Sequence, residues 1–295
     1  MKILAMEKKI SEFLQHLRRE EYAENSIISY NKDLMDLFAF ARGNLDYNCK
    51  LEKEFLIEYK KILTETVKPS SVNRKIAAIN KFLDFLKLET YKLKSLKIQE
   101  HTMTVNTLTE NEFKRLIEAA LQLRKRKIAL IMLTLASVGI RISELQYITA
   151  EAVKIGKTTI RNKGQIRTII IPTNLREKLT TYCRMHKIEN GVIFLGNVGQ
   201  PISRSYISRE MKTVAGSCCV DESKAFPHNL RHYFARKFLD CGNELSDLAD
   251  ILGHVSVNTT RRYLWVSEEI LRKQMEKTKI IKFSHAADFF ALWAE

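Results

Sequence analysis

The stretch LGHVSVNTTRRY at residues 252–263 decides how this sequence is interpreted. Leu252 and Gly253 end a predicted helix, so His254 lies at a helix end, where a capping role is common. Tyr263 follows nine residues after His254 and on its own could be an ordinary core tyrosine. The stretch therefore gains a functional meaning only together with the blocks that precede it.

A second block, PHNLRH, occupies residues 227–232. Its residues His228, Arg231 and His232 stand at positions i, i+3 and i+4, so they share one face of the helix predicted over 228–241. A lone His-x-x-Arg pair is a weak signal, because the polarity of a helix surface explains most such cases.

Two further blocks lie upstream, GIRISEL at 139–145 and NKG at 162–164. Arg141 stands just after the end of a strongly apolar helix, and it could simply pair with Glu144 three residues later. Lys163 lies at the tip of a predicted hairpin, where a lysine is usually solvated. Each block alone is again ambiguous, and the order of the four blocks is what discriminates.

The hydrophobic pattern predicts a mainly α fold with a small antiparallel β-sheet. The chain has only 10 Gly and 4 Pro in 295 residues, few breakers for its length. Residues 152–171 are β-branched and alternate in polarity, which predicts three short strands. Helices are predicted over 6–21, from Ser26 with Ile28, Leu34, Leu37 and Phe38 inward, over 54–63, from Ser71 to Leu86, from Glu110, and over 128–138, 173–187, 203–216, 228–241, 244–252, 257–264 and 267–277.

The length of the chain favours two domains. Residues 90–107 lose clear periodicity and are polar and basic, which is typical of a surface linker. Thr109 and Glu112 have the spacing of a capping box that opens a new helix. We predict a four-helix domain over 1–98, a linker over 99–107, a second domain over 108–279 and a C-terminal tail over 280–295.

The formal net charge is +15, from 49 Lys and Arg against 34 Asp and Glu. Such an excess favours a polyanionic partner, because Lys and Arg displace condensed counterions from nucleic acid. It does not identify the partner, since many basic proteins only have well-solvated surfaces.

The five cysteines include no CxxC pair, so neither a disulfide framework nor a zinc site is expected. The first residues carry charges too early for the apolar core of a signal peptide. No apolar run approaches the length of about 20 residues that spans a bilayer. We therefore expect a soluble, cytoplasmic protein with no membrane partner.

In their order, GIRISEL, NKG, PHNLRH and LGHVSVNTTRRY resemble the tyrosine recombinase, or phage integrase, family. The resemblance covers the whole chain. The front half, with SIISYNKDLMDLFAF at 26–40 and SSVNRKIAAINKFLDFL at 70–86, looks like the helical core-binding, SAM-like domain of Xer-type members. The resemblance implies a second, α+β catalytic domain. It also implies site-specific cleavage and rejoining of DNA through a 3′-phosphotyrosyl intermediate, in integration, excision, or resolution of dimers or cointegrates.

The same resemblance assigns the catalytic roles, with Glu144 supporting the architecture around Arg141. The chemistry suits a phosphodiester: a phenol with a pKa of about 10 needs activation, and planar guanidiniums bind phosphate oxygens bidentately. A histidine can take the phenol proton, and a lysine can protonate the leaving 5′ oxygen. The implied catalytic set is Arg141, Lys163, His228, Arg231, His254 and Tyr263.

The arginines and the lysine would supply the positive charge that Mg²⁺ supplies in a nuclease, so no metal or other cofactor is expected. Lys163 is preferred to Lys157 and Arg167 because NKG most resembles the family's GKG turn. Asn162 replaces the first glycine of that turn.

Further basic and hydroxyl side chains could face DNA or could simply be solvated, and two threonines could instead cap the helix that carries the tyrosine. The predicted DNA contacts are Lys32, Arg74, Lys75, Lys81, Arg167, Thr259 and Thr260.

The partner that the resemblance implies is double-stranded DNA with a specific recombination site. The protein would act as a tetramer on two duplexes, or paired with a related recombinase, with an accessory protein undetermined. The aromatic tail 280–295 would dock on a neighbouring protomer or pack in cis. Helices begin almost at residue 1, so we expect no extra arm-binding domain.

Two other functions remain open from the sequence. A type IB topoisomerase uses related Arg, Lys, Arg, His and Tyr chemistry, but the Xer-like front half argues against it. A catalytically silent DNA-binding protein on the same fold would not need every candidate catalytic residue type.

Overall fold

The computed structural model describes residues 5–44, 52–97, 107–162, 165–196, 199–253 and 260. The chain separates into two compact units, Met1–His101 and Thr102–Glu295. The division between them falls inside the predicted linker 99–107. Among the described residues, no helix is both long enough and apolar enough to cross a membrane.

The N-terminal unit is built from four helices. They are α1 (Met6–Arg19), α2 (Glu24–Asn44), α3 (Lys53–Thr66) and α4 (Pro69–Phe85). Their apolar residues recur at helical spacing and form one buried cluster that includes Phe13, Leu34, Leu56 and Phe82. The four-helix prediction for this half is confirmed.

Three details of that prediction were wrong. Helix α2 begins at Glu24 and not at Ser26, and its buried face contains Ile27 while Ile28 is exposed. Ile27 and Leu34 are seven residues apart and so lie on the same side of the helix, whereas Ile28 is rotated by about 100°. Helix α4 begins at Pro69, because a fixed φ suits proline to the first helical turn.

The chain after α4 is fastened to that helix by two asparagine side chains. Asn80 exchanges two hydrogen bonds of 2.9 Å with the backbone of Leu93. Asn73 does the same with Leu96, at 3.0 and 2.7 Å. The first part of the irregular stretch after residue 90 therefore belongs to the N-terminal unit.

The second unit is organised around a central apolar helix. Its elements are α5 (Glu110–Gln122), α6 (Arg126–Val138), a 3₁₀ turn (Ile142–Tyr147), α7 (Ala150–Ile155), β1 (Lys157–Asn162), β2 (Gln165–Ile170), α8 (Thr173–Met185), α9 (Arg204–Gly216), α10 (Pro227–Asp240) and α11 (Leu245–Leu252). Helix α6 is buried on nearly all sides and packs against α5, α8, α9 and α10. The capping box at Thr109 and Glu112 is confirmed.

The predicted three-stranded sheet is wrong within the described residues, which form one antiparallel hairpin of two strands. Lys157 pairs with Ile170 and Asn162 with Gln165. The segment expected to be a further strand is helix α7. The Thr149 hydroxyl accepts the Ala152 N–H and starts that helix, a cap that the alternating pattern concealed. The helices predicted over 257–264 and 267–277 and the tail 280–295 lie outside the described residues, apart from Thr260.

Candidate active site

Arg141 is placed by a glycine that ends helix α6. Gly139 has a φ of +67°, and a Cβ there would lie 2.3 Å from Cδ1 of Phe234 on α10. Only glycine combines this left-handed backbone with such close packing. The chain then turns outward, and Arg141 begins the 3₁₀ turn with its side chain 35% exposed.

Arg231 on α10 bonds to the C-terminal ends of helices α6 and α11, and each of these ends is followed by a predicted site residue. Its side chain is almost fully buried. Nη1 donates to the Gly139 carbonyl at 2.7 Å, and Nη2 donates to the Leu252 carbonyl at 2.6 Å. The first carbonyl lies two residues before Arg141 and the second two residues before His254. One guanidinium therefore brings the GIRISEL and LGH blocks to the PHNLRH helix.

Glu144 lies at the centre of the arginine cluster, with its side chain only 1% exposed. Its oxygens accept from the backbone N–H of Arg141 at 2.8 Å and from Nη1 of the same residue at 3.1 Å. They also accept from Nη1 and Nη2 of Arg167, at 3.1 and 2.6 Å. The Glu144 carboxylate thus connects the 3₁₀ turn with the hairpin.

The surroundings of Glu144 keep it ionised at neutral pH. Burial by itself would raise the pKa of this carboxyl. The hydrogen bonds from Arg167 and from the Arg141 backbone, with the charges of both guanidiniums, bring the pKa below its ordinary value instead. A buried negative charge therefore lies between two arginines.

Arg167 also brings the hairpin to the turn that precedes His254. A Cβ on Gly253 would lie 2.7 Å from Nη1 of Arg167, and Gly253 has a φ of +62°. The absence of a side chain at residue 253 therefore lets helix α11 end close to the guanidinium. Three of the four blocks, GIRISEL, PHNLRH and the start of LGHVSVNTTRRY, thus meet in one region of the second unit, together with Arg167 of the hairpin.

The two histidines of PHNLRH lie side by side on α10. His228 is exposed and His232 is buried, and their ring centroids are 4.4 Å apart in an edge-on arrangement. Since His228 lies one turn before Arg231, its ring is accessible next to the arginine cluster. Lys163, His254 and Tyr263 of the predicted catalytic set lie outside the described residues.

The side chains predicted to contact DNA fall into two groups. Lys32 is exposed on α2, Lys81 on α4 is half-buried, and the side chain of Arg74 is 49% exposed. Lys75, Arg167 and Thr260 are enclosed instead: Lys75 pairs with Asp33 and Asp36, Arg167 pairs with Glu144, and Thr260 is fully buried. Thr259 lies outside the described residues. Internal bonds or burial thus take up three of the side chains that were predicted as DNA contacts.

The inward pairing of Arg167 with Glu144 was not predicted from the sequence, although strand alternation gave a signal for it. Arg167 and the buried Ile169 are two residues apart on β2, so they face the same side of the hairpin. The exposed Ile166 and Ile170 occupy the other face. Strand alternation alone could have placed Arg167 inward. Over the described ranges, no three His, Cys, Asp or Glu residues form a group that could hold a metal ion.

Comparison with known proteins identifies the family of the chain. Residues 106–269 match the phage integrase family, and residues 10–90 match the N-terminal SAM-like domain of phage integrases. The chain therefore belongs to the phage integrase family, and it is a tyrosine recombinase, an enzyme that cleaves and rejoins DNA.

Among its relatives is tyrosine recombinase XerA of Pyrococcus horikoshii, 28% identical over 288 residues that cover 92% of this chain and 94% of the relative. Solved structures share the fold. The Tn1549 transposon integrase in complex with transposon right-end DNA gives a TM-score of 0.70 at 15% identity, covering 94% of this chain and 99% of that one. A lambda integrase tetramer bound to a Holliday junction gives 0.68 at 15% identity, covering 87% and 76%. The topoisomerase and silent-binder alternatives are not favoured by these relatives.

Proposed function

We propose that the protein is a site-specific DNA recombinase in which Tyr263 attacks a phosphodiester and forms a 3′-phosphotyrosyl link, releasing a 5′-hydroxyl. The observation that carries this proposal is the hydrogen bond from Arg231 to the Gly139 carbonyl, which brings Arg231 to the turn where Glu144 holds Arg141. Two arginines held in this way suit the non-bridging oxygens of a single phosphate.

The two guanidiniums would stabilise the charge that grows on those oxygens in the transition state. Because their positions are fixed by internal hydrogen bonds, little reorganisation accompanies the reaction. Arg141, with the more exposed side chain, would make the outer contact. The buried Arg231 would make the inner one. His254 would add a further hydrogen bond to the same phosphate.

Two proton transfers complete the step. His228, exposed beside Arg231, would accept the proton of the Tyr263 hydroxyl, because an imidazole titrates close to neutral pH. Lys163, between the two strands of the hairpin, would give a proton to the leaving 5′ oxygen. Reversal of the step by a 5′-hydroxyl from a second duplex would reseal the strand without ATP. No metal ion or other cofactor enters this scheme.

We propose that residues 1–98 bind the DNA around the cleavage site, that 99–107 form the linker and that 108–279 carry the chemistry. Exposure supports Lys32 and Arg74 as DNA contacts in the first unit, and the half-buried Lys81 is proposed as a third. Cleavage and rejoining of this DNA would take place in the cytoplasm.

The assembly proposed is a tetramer on two duplexes, with the tail 280–295 docked on a neighbouring protomer. Support for it comes from the likeness in fold to the lambda integrase tetramer bound to a Holliday junction. Deletion of residues 280–295 should then lower recombination more than binding to a single site in a gel shift. Equal losses in both assays would contradict a role in assembly.

The test of the chemistry begins with the target site. Covalent complexes are trapped with detergent in cells that express the protein, and the attached DNA is sequenced. A duplex with that site and a nick next to the cleavage position then serves as a suicide substrate. Wild-type protein should form a covalent adduct, and Tyr263→Phe should bind the same duplex without forming one. Binding by the wild type with no adduct would overturn the proposal.

The same sequencing identifies the biological role. A site in the replication-terminus region of the chromosome would indicate dimer resolution. Sites at the ends of a mobile element would indicate integration or excision.

A further inference from the structure

Arg167 and Arg141 share one carboxylate, and they use it differently. Arg167 donates through both terminal nitrogens, one to each oxygen of Glu144, at 3.1 and 2.6 Å. Arg141 donates through Nη1 to one oxygen, at 3.1 Å, and through its backbone N–H to the other. A two-point pairing fixes the plane of a carboxylate, whereas a single bond does not.

The position of Arg167 itself is tightly restrained. Its side chain is 11% exposed and lies on the inner face of β2. Gly253 approaches its guanidinium so closely that a Cβ there would lie 2.7 Å from Nη1 and 2.8 Å from Cδ. Arg167 is therefore held by the strand, by Glu144 and by the end of helix α11.

A guanidinium has five N–H donors, and the side-chain bond to Glu144 uses one donor of Arg141. The same guanidinium can thus bind phosphate while it is steered by Glu144. Without Arg167, the Glu144 carboxylate would lose two donors while remaining buried. A buried carboxylate that loses donors attracts the remaining cation beside it, and among the described residues that cation is Arg141. That attraction would turn Arg141 inward, away from a phosphate.

We infer that Arg167 is a positioning residue for the cleavage reaction, which acts through Glu144 to aim the guanidinium of Arg141 at the scissile phosphate. This role replaces the direct DNA contact predicted for Arg167 from the sequence. The inference rests on the proposed function, because it assigns Arg141 to the phosphate.

The test is a double-mutant cycle between Arg167 and Arg141, read as the single-turnover rate of adduct formation on the nicked duplex at saturating protein. Arg167→Ala should slow adduct formation by about 10- to 100-fold, as expected when a reacting group is misplaced by about 1 Å. In the Arg141→Ala background, the same Arg167→Ala change should have almost no further effect, since the group that it positions is gone. DNA affinity in a gel shift should stay close to that of the wild type.

Arg176→Ala is the matched control. Arg176 also forms internal hydrogen bonds in the second unit, from Nε to the Val153 carbonyl at 2.9 Å and from its guanidinium to the carbonyl of Lys154. It joins α8 to α7 and does not contact Glu144. Loss of Arg176 should lower the melting temperature but leave the rate of adduct formation unchanged.

The conservative variant Arg167→Lys should recover only part of the rate, because an ammonium is a point charge and cannot pair with both oxygens in the arginine geometry. If Arg167→Ala does not fold, the cycle is carried out with Arg167→Lys. An equal loss of rate with and without Arg141 would overturn the inference. So would a wild-type rate in the Arg167 variants. Failure of the wild type to form any adduct would instead overturn the proposed function.

Discussion

Each of the two units buries one carboxylate between two cations, but the clusters differ in their charge balance. In the N-terminal unit, the buried Asp33 pairs with Arg74 and, at 3.4 Å, with Lys75, and Asp36 lies 2.5 Å from the same lysine. Two negative charges match two positive ones. The cluster joins α2 to α4 and leaves no net charge, which is what a purely structural connection requires.

In the second unit, Glu144 pairs with Arg141 and Arg167, and Arg231 adds a third guanidinium that bonds to backbone carbonyls. These four described groups carry one negative and three positive charges, so together they have a positive surplus. Excess positive charge in a partly buried cluster lowers the stability of the fold unless an anion binds there. The balanced ion pairs serve stability, whereas the positive surplus in the second unit is what the proposed binding of a phosphate requires.

The largest effect should come from Arg231→Ala, which removes the buried guanidinium of the positively charged cluster. Adduct formation on the nicked duplex should fall by about 100- to 1000-fold, in line with loss of one preorganised donor to a reacting oxyanion. The unfolding free energy should also fall, by about 1–3 kcal/mol for each carbonyl left unpaired. Urea titrations and single-turnover kinetics measure the two losses. A stable variant with normal cleavage would show that Arg231 belongs to neither role.

Asp33→Ala should break the balanced cluster and lower stability by about 3 kcal/mol, because it removes the buried carboxylate that pairs with both Arg74 and Lys75. The exposed carboxylate next to it provides the control: Asp36→Ala should cost about 1 kcal/mol or less. In both variants, bound complexes should cleave at the wild-type rate. A slower chemical step in Asp33→Ala would mean that the two clusters are not separate in function.

Gly139→Ala tests the turn that places Arg141. A left-handed residue other than glycine costs about 1–2 kcal/mol, and here the added Cβ would also collide with Phe234. Gly191→Ala is matched to it, since Gly191 has a φ of +77° and no atom within 4 Å of its Cβ position. The difference in unfolding free energy between the two variants isolates the collision. Equal values would show that the contact with Phe234 relaxes without cost.

The smallest effect should be a dependence of stability on acid pH. The pKa of Glu144 is lower in the folded protein than in the unfolded chain, so its contribution to stability is complete above the unfolded value. That contribution is lost as the pH falls through the folded value. Glu144→Gln should flatten the acid limb of a plot of unfolding free energy against pH. An unchanged limb would show that other carboxylates determine it.

The sequence predicted most of the helices and the hairpin, because each has a local signal in periodicity or capping. It failed where a local pattern was ambiguous. The β-branched residues of helix α7 resembled a strand until the cap at Thr149 was seen in place. For the site, the order of the four motifs predicted Arg141 and Arg231 as catalytic residues. The hydrogen bonds from Arg231 to the carbonyls of Gly139 and Leu252, however, join residues that are distant in the chain. No local pattern carries that information.

The central claim is that the surplus of guanidiniums neutralises the scissile phosphate. A methylphosphonate at that position replaces one charged oxygen with a neutral methyl group, so the demand for a cation falls. The measurement is the single-turnover rate of Arg141→Ala on the normal nicked duplex and on its methylphosphonate counterpart, each relative to the wild type. We expect a loss of about 100-fold or more on the phosphodiester and only a small loss on the methylphosphonate. Equal losses on the two substrates would contradict the claim.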